Sequence, residues 1–154
     1  MIKPINDFVC RFGTTISLNE TLIVKRQGRY FLLNENLKRY ASKDFFYAGT
    51  YLGKAKEEKF FPSFNLLRMI VDTNAKRIFV DKKTEWLFIC GRDVFKRGIT
   101  KVTRATKKND YALILNQNGE CLGFGRTLYN LNEKTEGPAV QNILDTGDFL
   151  RREK

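Results

Sequence analysis

Apolar residues fall into short runs whose spacing changes along the chain. Leu22-Ile23-Val24 and Tyr30-Phe31-Leu32-Leu33 are strand-like and flank Gln27-Gly28, which predicts a hairpin. Glu35 to Tyr40 reads as a short helix, and Phe45 to Leu52 as an aromatic-rich strand closed by Gly53. Pro62 stands where a first helical turn tolerates it, and Phe64, Leu66, Leu67, Met69, Ile70 and Val71 follow at near-helical spacing. The polar stretch from Asp72 to Ala75 ends that pattern and predicts a domain boundary, with one domain over 1–74 and another over 75–154.

The second half opens on a four-residue strand, Arg77-Ile78-Phe79-Val80. A helix is expected from about Glu85, with Thr84 as N-cap. Trp86, Cys90 and Val94 lie at i, i+4 and i+8, and Leu87, Ile89 and Phe95 widen the stripe. Lys96 and Arg97 then occupy its last turn and Gly98 stops it. Tyr111 to Leu115 runs into Asn118-Gly119, a strong hairpin signal, and Cys121 to Leu128 returns through Gly123 and Gly125. Val140 to Leu150 is a last strand-like segment with a break at Thr146-Gly147-Asp148. Short strands around one helix predict a small β-barrel-like domain. The fold class is therefore α+β, with an α/β domain carrying an antiparallel sheet ahead of the barrel.

Composition narrows the function. The 154 residues include 28 Lys+Arg against 17 Asp+Glu, a net charge of +11, and no histidine. Without histidine there is no Ser-His-Asp or Cys-His nucleophile and no His-ligated zinc. The excess of cations points to a polyanion, nucleic acid before an anionic membrane. Cys10, Cys90 and Cys121 form no CxxC and read as buried apolar residues of a reducing, cytoplasmic compartment. No leader and no stretch of membrane-spanning length is apparent, so a soluble protein without membrane association is expected.

The charge is concentrated. Residues 92–108 hold seven cations and one carboxylate, Asp93, for a net +6, whereas 109–150 hold two cations and six carboxylates. Arg92 and Lys96 are placed on one helix face, with Arg97, Lys101 and Arg104 around the Gly98 turn and Lys107 and Lys108 beyond it. Consecutive phosphates need such a series of cations. An Asp93–Arg97 pair at i, i+4 would neutralise one of the seven. Gly123-Phe124-Gly125 has no following helix, so it is read as a place of close backbone approach rather than a dinucleotide fingerprint. Asp93, Asp145 and Asp148 are assigned to ion pairs or caps, and Phe45, Phe46, Tyr47, Phe60, Phe61 and Phe64 to the core. No catalytic, cofactor or metal motif is present, and a non-enzyme is expected.

The segments Arg77–Val80, Glu85–Phe95, Lys96–Ile99, the hairpin through Asn118-Gly119-Glu120, and Leu122–Gly125 resemble a PUA domain, an RNA-binding pseudo-barrel. Together with Tyr47–Lys54 upstream and Asp145–Arg152 at the end, the chain is similar to the Nip-seven family of ribosome biogenesis factors, in its archaeal form. The resemblance implies a monomeric, non-enzymatic factor in maturation of large-subunit pre-rRNA, with single-stranded RNA and pre-ribosomal proteins as partners and no cofactor. It implies RNA contacts at Arg151 and Arg152, with Lys154 beside them, and at Lys96, Arg97 and Lys101 around the helix-to-strand turn. A different class, an RNA-modification enzyme or guide subunit using the PUA domain as a clamp, requires a catalytic half that residues 1–74 do not suggest.

Overall fold

Gln27 and Gly28 both adopt left-handed backbone, with φ of 49° and 78°, as a two-residue hairpin turn needs. They join β1 (Ile23–Arg26) to β2 (Arg29–Leu32), and the sheet continues through β3 (Thr50–Lys56) and β4 (Lys59–Pro62) as an antiparallel meander in chain order. The computed structural model describes residues 2–45, 47–133, 136–148 and 151.

Two units make up the chain. The first contains the residues up to Cys10 and Thr15–Thr73; the second contains Arg11–Thr14 and the chain from Asn74 on. In the first unit, helices α1 (Lys3–Cys10) and α3 (Phe64–Val71) pack on β4 and β3, and α2 (Glu35–Lys38) is a single turn capped by Asn34. Ile5, Phe8, Tyr30, Leu52, Leu67 and Ile70 are buried there. Pro62 closes β4 rather than opening the helix, and Ser63 is the N-cap, its hydroxyl oxygen accepting from Leu66 N at 3.1 Å.

The predicted strand of residues 45–52 begins only at Thr50 and passes through Gly53 to Lys56. Gly53 does not end it because an irregularity in the β2–β3 pairing falls at this point and accommodates its φ of 144°. The partner β4 follows a turn in which Glu57 and Glu58 are both left-handed, a conformation their residue types do not advertise. Tyr47 and Phe61 are 57% and 52% exposed, contrary to the core assignment, while Phe45, Phe60 and Phe64 are half-buried and Phe46 lies outside the described residues. Phe60 and Phe61 are neighbours on a strand, so only Phe60 can face α1, where its ring is 5.4 Å from that of Phe8.

The second unit is built on a six-stranded sheet in the order β6-β10-β9-β8-β5-β7, where β5 is Arg77–Val80, β6 Val94–Phe95, β7 Ile99–Val102, β8 Tyr111–Leu115, β9 Cys121–Thr127 and β10 Pro138–Asp145. All pairs are antiparallel except β5–β8. Its two outer strands, β6 and β7, are consecutive in the chain and separated only by the 3₁₀ turn Lys96–Gly98. That short connection curls the sheet into a nearly closed pseudo-barrel. Ile78, Val80, Val94, Ala112, Ile114, Leu122 and Val140 fill it together with Phe88 of α4 (Lys82–Ile89).

Helix α4 differs from the expected one. Asp81, not Thr84, is the N-cap, accepting from Thr84 N at 2.8 Å, and the helix ends at Ile89. Residues 90–95 keep an apolar character because Val94 enters the sheet, not because a helical stripe continues. Trp86, expected on the buried stripe, is 66% exposed, and Phe88 is the side chain that reaches the core. Cys10 and Cys90 stand at helix ends and are exposed, contrary to the buried reading, and Cys121 is half-buried. The hairpin at 116–120 forms, but only Gly119 of the Asn118-Gly119 pair is left-handed; buried Asn116 shapes the loop by accepting from the N–H groups of Asn118 and Glu120.

Gly123 and Gly125 mark the tightest strand approach. A Cβ on Gly123 would lie 1.9 Å from Leu144 O, and one on Gly125 would lie 2.6 Å from Gln141 O. Gly123→Ala is expected to destabilise the protein by about 2–4 kcal/mol, combining backbone strain with an overpacked contact. Gly119→Ala meets nothing within 4 Å and should cost about 1 kcal/mol through its φ alone. Urea unfolding followed by circular dichroism measures both, and equal midpoints for the two variants would refute the close-approach argument.

Candidate nucleic-acid interface

The end of α4 is held by side chains from distant positions. The last carbonyls of a helix lack intrahelical partners. Here Asn142 Nδ2 donates to Phe88 O at 2.9 Å and to Arg92 O at 3.3 Å, and Arg151 Nη1 donates to Ile89 O at 2.7 Å. Asn142 N in turn donates to Asp93 Oδ1 at 2.9 Å. The carboxylate in the basic run is thereby directed to β10, and the expected helical Asp93–Arg97 pair does not form.

Arg92 and Lys96 do not share a helix face, because the chain has left the helix before Arg92. They lie instead along an exit segment, β6 and the following turn. Arg92 is exposed. Lys96 is half-buried; its Nζ donates to Glu133 O and stands 6.0 Å from the Tyr129 ring centre. Arg97 is exposed beside Phe95, 5.5 Å from that ring centre, and Lys101 is exposed on β7, 5.4 Å from the ring of Phe79. No carboxylate of the described residues lies within ion-pair distance of Arg92, Arg97 or Lys101. These three cations, with the exposed ring of Phe95 beside Arg97, form the candidate interface.

Two other predicted residues are occupied within the fold. Arg104 Nη1 donates to Gly13 O at 2.6 Å and to Asn74 O at 2.9 Å, fastening the 11–14 segment to the start of β5. In that segment Phe12 packs edge-on against Tyr111 and Phe124. Arg151 Nη2 lies 2.7 Å from Asp145 Oδ2, whose side chain is only 3% exposed. The Arg151 guanidinium thus neutralises a buried carboxylate and caps α4 at the same time. It also lies against Gly91, where a Cβ would sit 3.3 Å from Cζ, which brings the C-terminal cation next to Arg92. Arg152 and Lys154 lie outside the described residues.

Sequence reading missed Asn142 as an organiser of this surface, whereas Asp145, assigned to an ion pair or cap, forms its ion pair with Arg151. Asn142 falls at an irregularity in the β9–β10 register, between Asn142 and Leu144, and no local pattern marks that position. Two further carboxylates steady the unit. Burial opposes the charge of Asp110, but hydrogen bonds from Lys76 Nζ at 2.7 Å and Lys107 N at 2.8 Å outweigh it and hold the carboxyl below its ordinary range. The N–H and hydroxyl of Thr84 do the same for Asp81.

A profile of the UPF0113 PUA domain family matches residues 76–154. A UPF0113 protein of Archaeoglobus fulgidus is 29% identical over 115 residues, covering 70% of this chain and 63% of that protein, so the match takes in less than two thirds of the relative's length. Among solved structures, a conserved PUA domain protein from Thermoplasma acidophilum superposes with a TM-score of 0.61 at 22% identity, over 97% of this chain and 91% of that one. A hypothetical protein from Pyrococcus horikoshii does so with a TM-score of 0.55 at 19% identity, over 83% and 75%. These superpositions bear on the fold.

Arg151→Ala should lower the melting temperature, because it leaves the Asp145 carboxylate buried without its cation. Adding Asp145→Asn should recover part of that loss; a double variant less stable than Arg151→Ala alone would overturn the assignment. The depressed carboxyls of Asp81 and Asp110 bind fewer protons folded than unfolded. Their stabilisation is full above the ordinary carboxylate range and is lost as pH falls below about 4. Melting curves between pH 2 and 7 should show that decline, made shallower by Asp110→Asn.

Proposed function

The chain belongs to the UPF0113 PUA domain family, and on that premise we propose that it is a non-enzymatic RNA-binding factor assisting pre-rRNA processing and assembly of the large ribosomal subunit. The observation that carries RNA binding is the exit of α4. Asp93 is engaged by Asn142, while Arg92, Arg97 and Lys101 stay exposed, Arg97 beside the exposed ring of Phe95. Cations in succession bind phosphates with release of counterions, and exposed rings offer faces for unpaired bases. Arg151 belongs to the same proposed surface by its position against Gly91, and Arg152 and Lys154, outside the described residues, enter the proposal through the resemblance alone. Lys96 is tied to Glu133 O, and Arg104 to the carbonyls of Gly13 and Asn74.

Ribosome biogenesis is the finer part of the proposal and rests on the resemblance to the Nip-seven family. In that role the protein needs no catalytic group, and its partners are pre-rRNA and proteins of the precursor particle. Among the described residues no helix is long and apolar enough to cross a membrane.

The triple variant Arg92→Ala, Arg97→Ala, Lys101→Ala should bind single-stranded pre-rRNA fragments more weakly. Its dependence of log K on log salt should be shallower by about 2, at roughly 0.7 per lost phosphate contact. Fluorescence anisotropy over a salt series measures both quantities. An unchanged affinity and slope would remove this surface from the proposal. Arg151 is unsuitable as the sole test, since its replacement also disturbs Asp145. Gradient sedimentation of cell extracts should place the protein with large-subunit precursors, and its absence from them would refute the assembly role.

A further inference from the structure

The N-terminal sheet directs Tyr30, Leu52 and Phe60 to its core and leaves the opposite face partly open. Across that open face the register aligns Arg26 with Arg29, Arg29 with Lys54, and Lys54 with Phe61, one residue from each of β1 to β4. The next pair along β3 and β4 is Lys56 with Lys59. Directly opposed residues in antiparallel strands carry their side chains on one face about 5 Å apart, and like charges so placed oppose folding. Three neighbouring pairs are like-charged, and two of them share Arg29, whose charge also acts on Tyr51. Glu57 and Glu58 stand at the tip of the β3–β4 hairpin, and Glu35 and Asp44 lie in the β2–β3 connection. Glu57 reaches Lys56 only at 4.0 Å, with both side chains largely exposed.

The aromatic residues of this face are arranged for contact as well as cover. Arg26 donates to Ala41 O and Lys43 O and lies over the Phe45 ring, so it secures the loop that covers Phe31. On that loop Tyr47 stands out to solvent, propped by Phe31 at 5.3 Å between ring centres and 6.3 Å from Tyr51. Phe61 stands out at the other end of the cationic row. A buried prop fixes a ring in advance, so stacking a base on Tyr47 costs little further side-chain freedom.

We infer that this face, where Lys54 and Lys59 accompany the exposed rings of Tyr47 and Phe61, is a second binding surface for single-stranded nucleic acid. Phosphates meet Lys54 and Lys59, and unpaired bases stack on the rings. An acidic protein segment would satisfy the cations but leave two flat rings exposed, whereas a single strand carries both complements in alternation. The inference stands on the N-terminal unit and is independent of RNA binding by the C-terminal one.

The test uses the full chain with an oligouridine of roughly twelve nucleotides, substituted with 4-thiouridine. After photocrosslinking and mass spectrometry, adducts are expected on Tyr47 or Phe61. Lys54→Glu with Lys59→Glu removes like-charge repulsion and should fold with an unchanged or raised melting temperature. It should weaken binding and make the salt slope shallower by at least about 1.4, for two phosphate contacts. Phe61→Leu should weaken binding about fivefold or more while leaving the salt slope unchanged. Tyr47→Phe should bind as the parent does and Tyr47→Leu more weakly. Crosslinks confined to residues 76–154, or full affinity in the Glu variant, would overturn the inference; retention of an acidic protein by this face with no crosslink to RNA would do the same. Should the Glu variant fail to fold, the crosslinks on the parent protein decide. Failure of the C-terminal reading appears separately, as unchanged binding by the Arg92, Arg97, Lys101 variant.

Discussion

The C-terminal unit depends on one close approach, between β9 and β10 at Gly123 and Gly125. Any side chain at Gly123 would run into the carbonyl of Leu144. Because the backbones can meet there, the strand partner shifts register between Asn142 and Leu144. The shift brings Asn142 to the end of α4, where it donates to Phe88 O and binds Asp93. It also leaves Asp145 buried at the end of β10, ready for Arg151. The exit of α4, and with it the orientation of Arg92 through Lys101, follows from a missing Cβ on another strand.

That geometry divides the cations by task. Arginine is suited to joining several acceptors at once, since its planar group presents donors in fixed directions. Arg104 uses it on two carbonyls and Arg151 on a carbonyl and a carboxylate. Both are outwardly part of the same basic composition as Arg92 and Arg97, yet they hold the fold together. Removing one of the first kind alters the scaffold, and removing one of the second alters the field outside it. In the N-terminal sheet the contrast takes another form: cations stand opposite cations, a pairing that folding alone disfavours.

Most strands were legible because their signals are local. Arg77–Val80, Tyr111–Leu115 and the return from Cys121 combine β-branched or aromatic runs with glycine turns. The turn at Gln27-Gly28 was legible for the same reason. The Glu57-Glu58 turn was not, since two glutamates in left-handed backbone carry no local signature, and β4 went unrecognised with it. Helix α4 was drawn too long because Cys90 and Val94 continue a helical spacing by coincidence. Val94 is apolar for its place beside Val140 in the sheet. The basic run was visible as charge, but a count of charges cannot tell a cation bound to a carbonyl ninety residues away from one that faces water.

Order of elements, the two-part organisation suggested by the break near Asp72–Ala75, the PUA resemblance and the positive run can all be read along the chain. Each depends on residues that are neighbours in sequence, where propensity, turn chemistry and charge act directly. The end of α4, the separate roles of Arg92 and Arg151, and the cationic row from Arg26 to Phe61 depend on strand register. Register is set by which backbones can approach and which faces must be buried. Those requirements are met only when distant segments pair, so the chemistry of the surface is a property of the folded sheets and not of the run of charges that first suggested it.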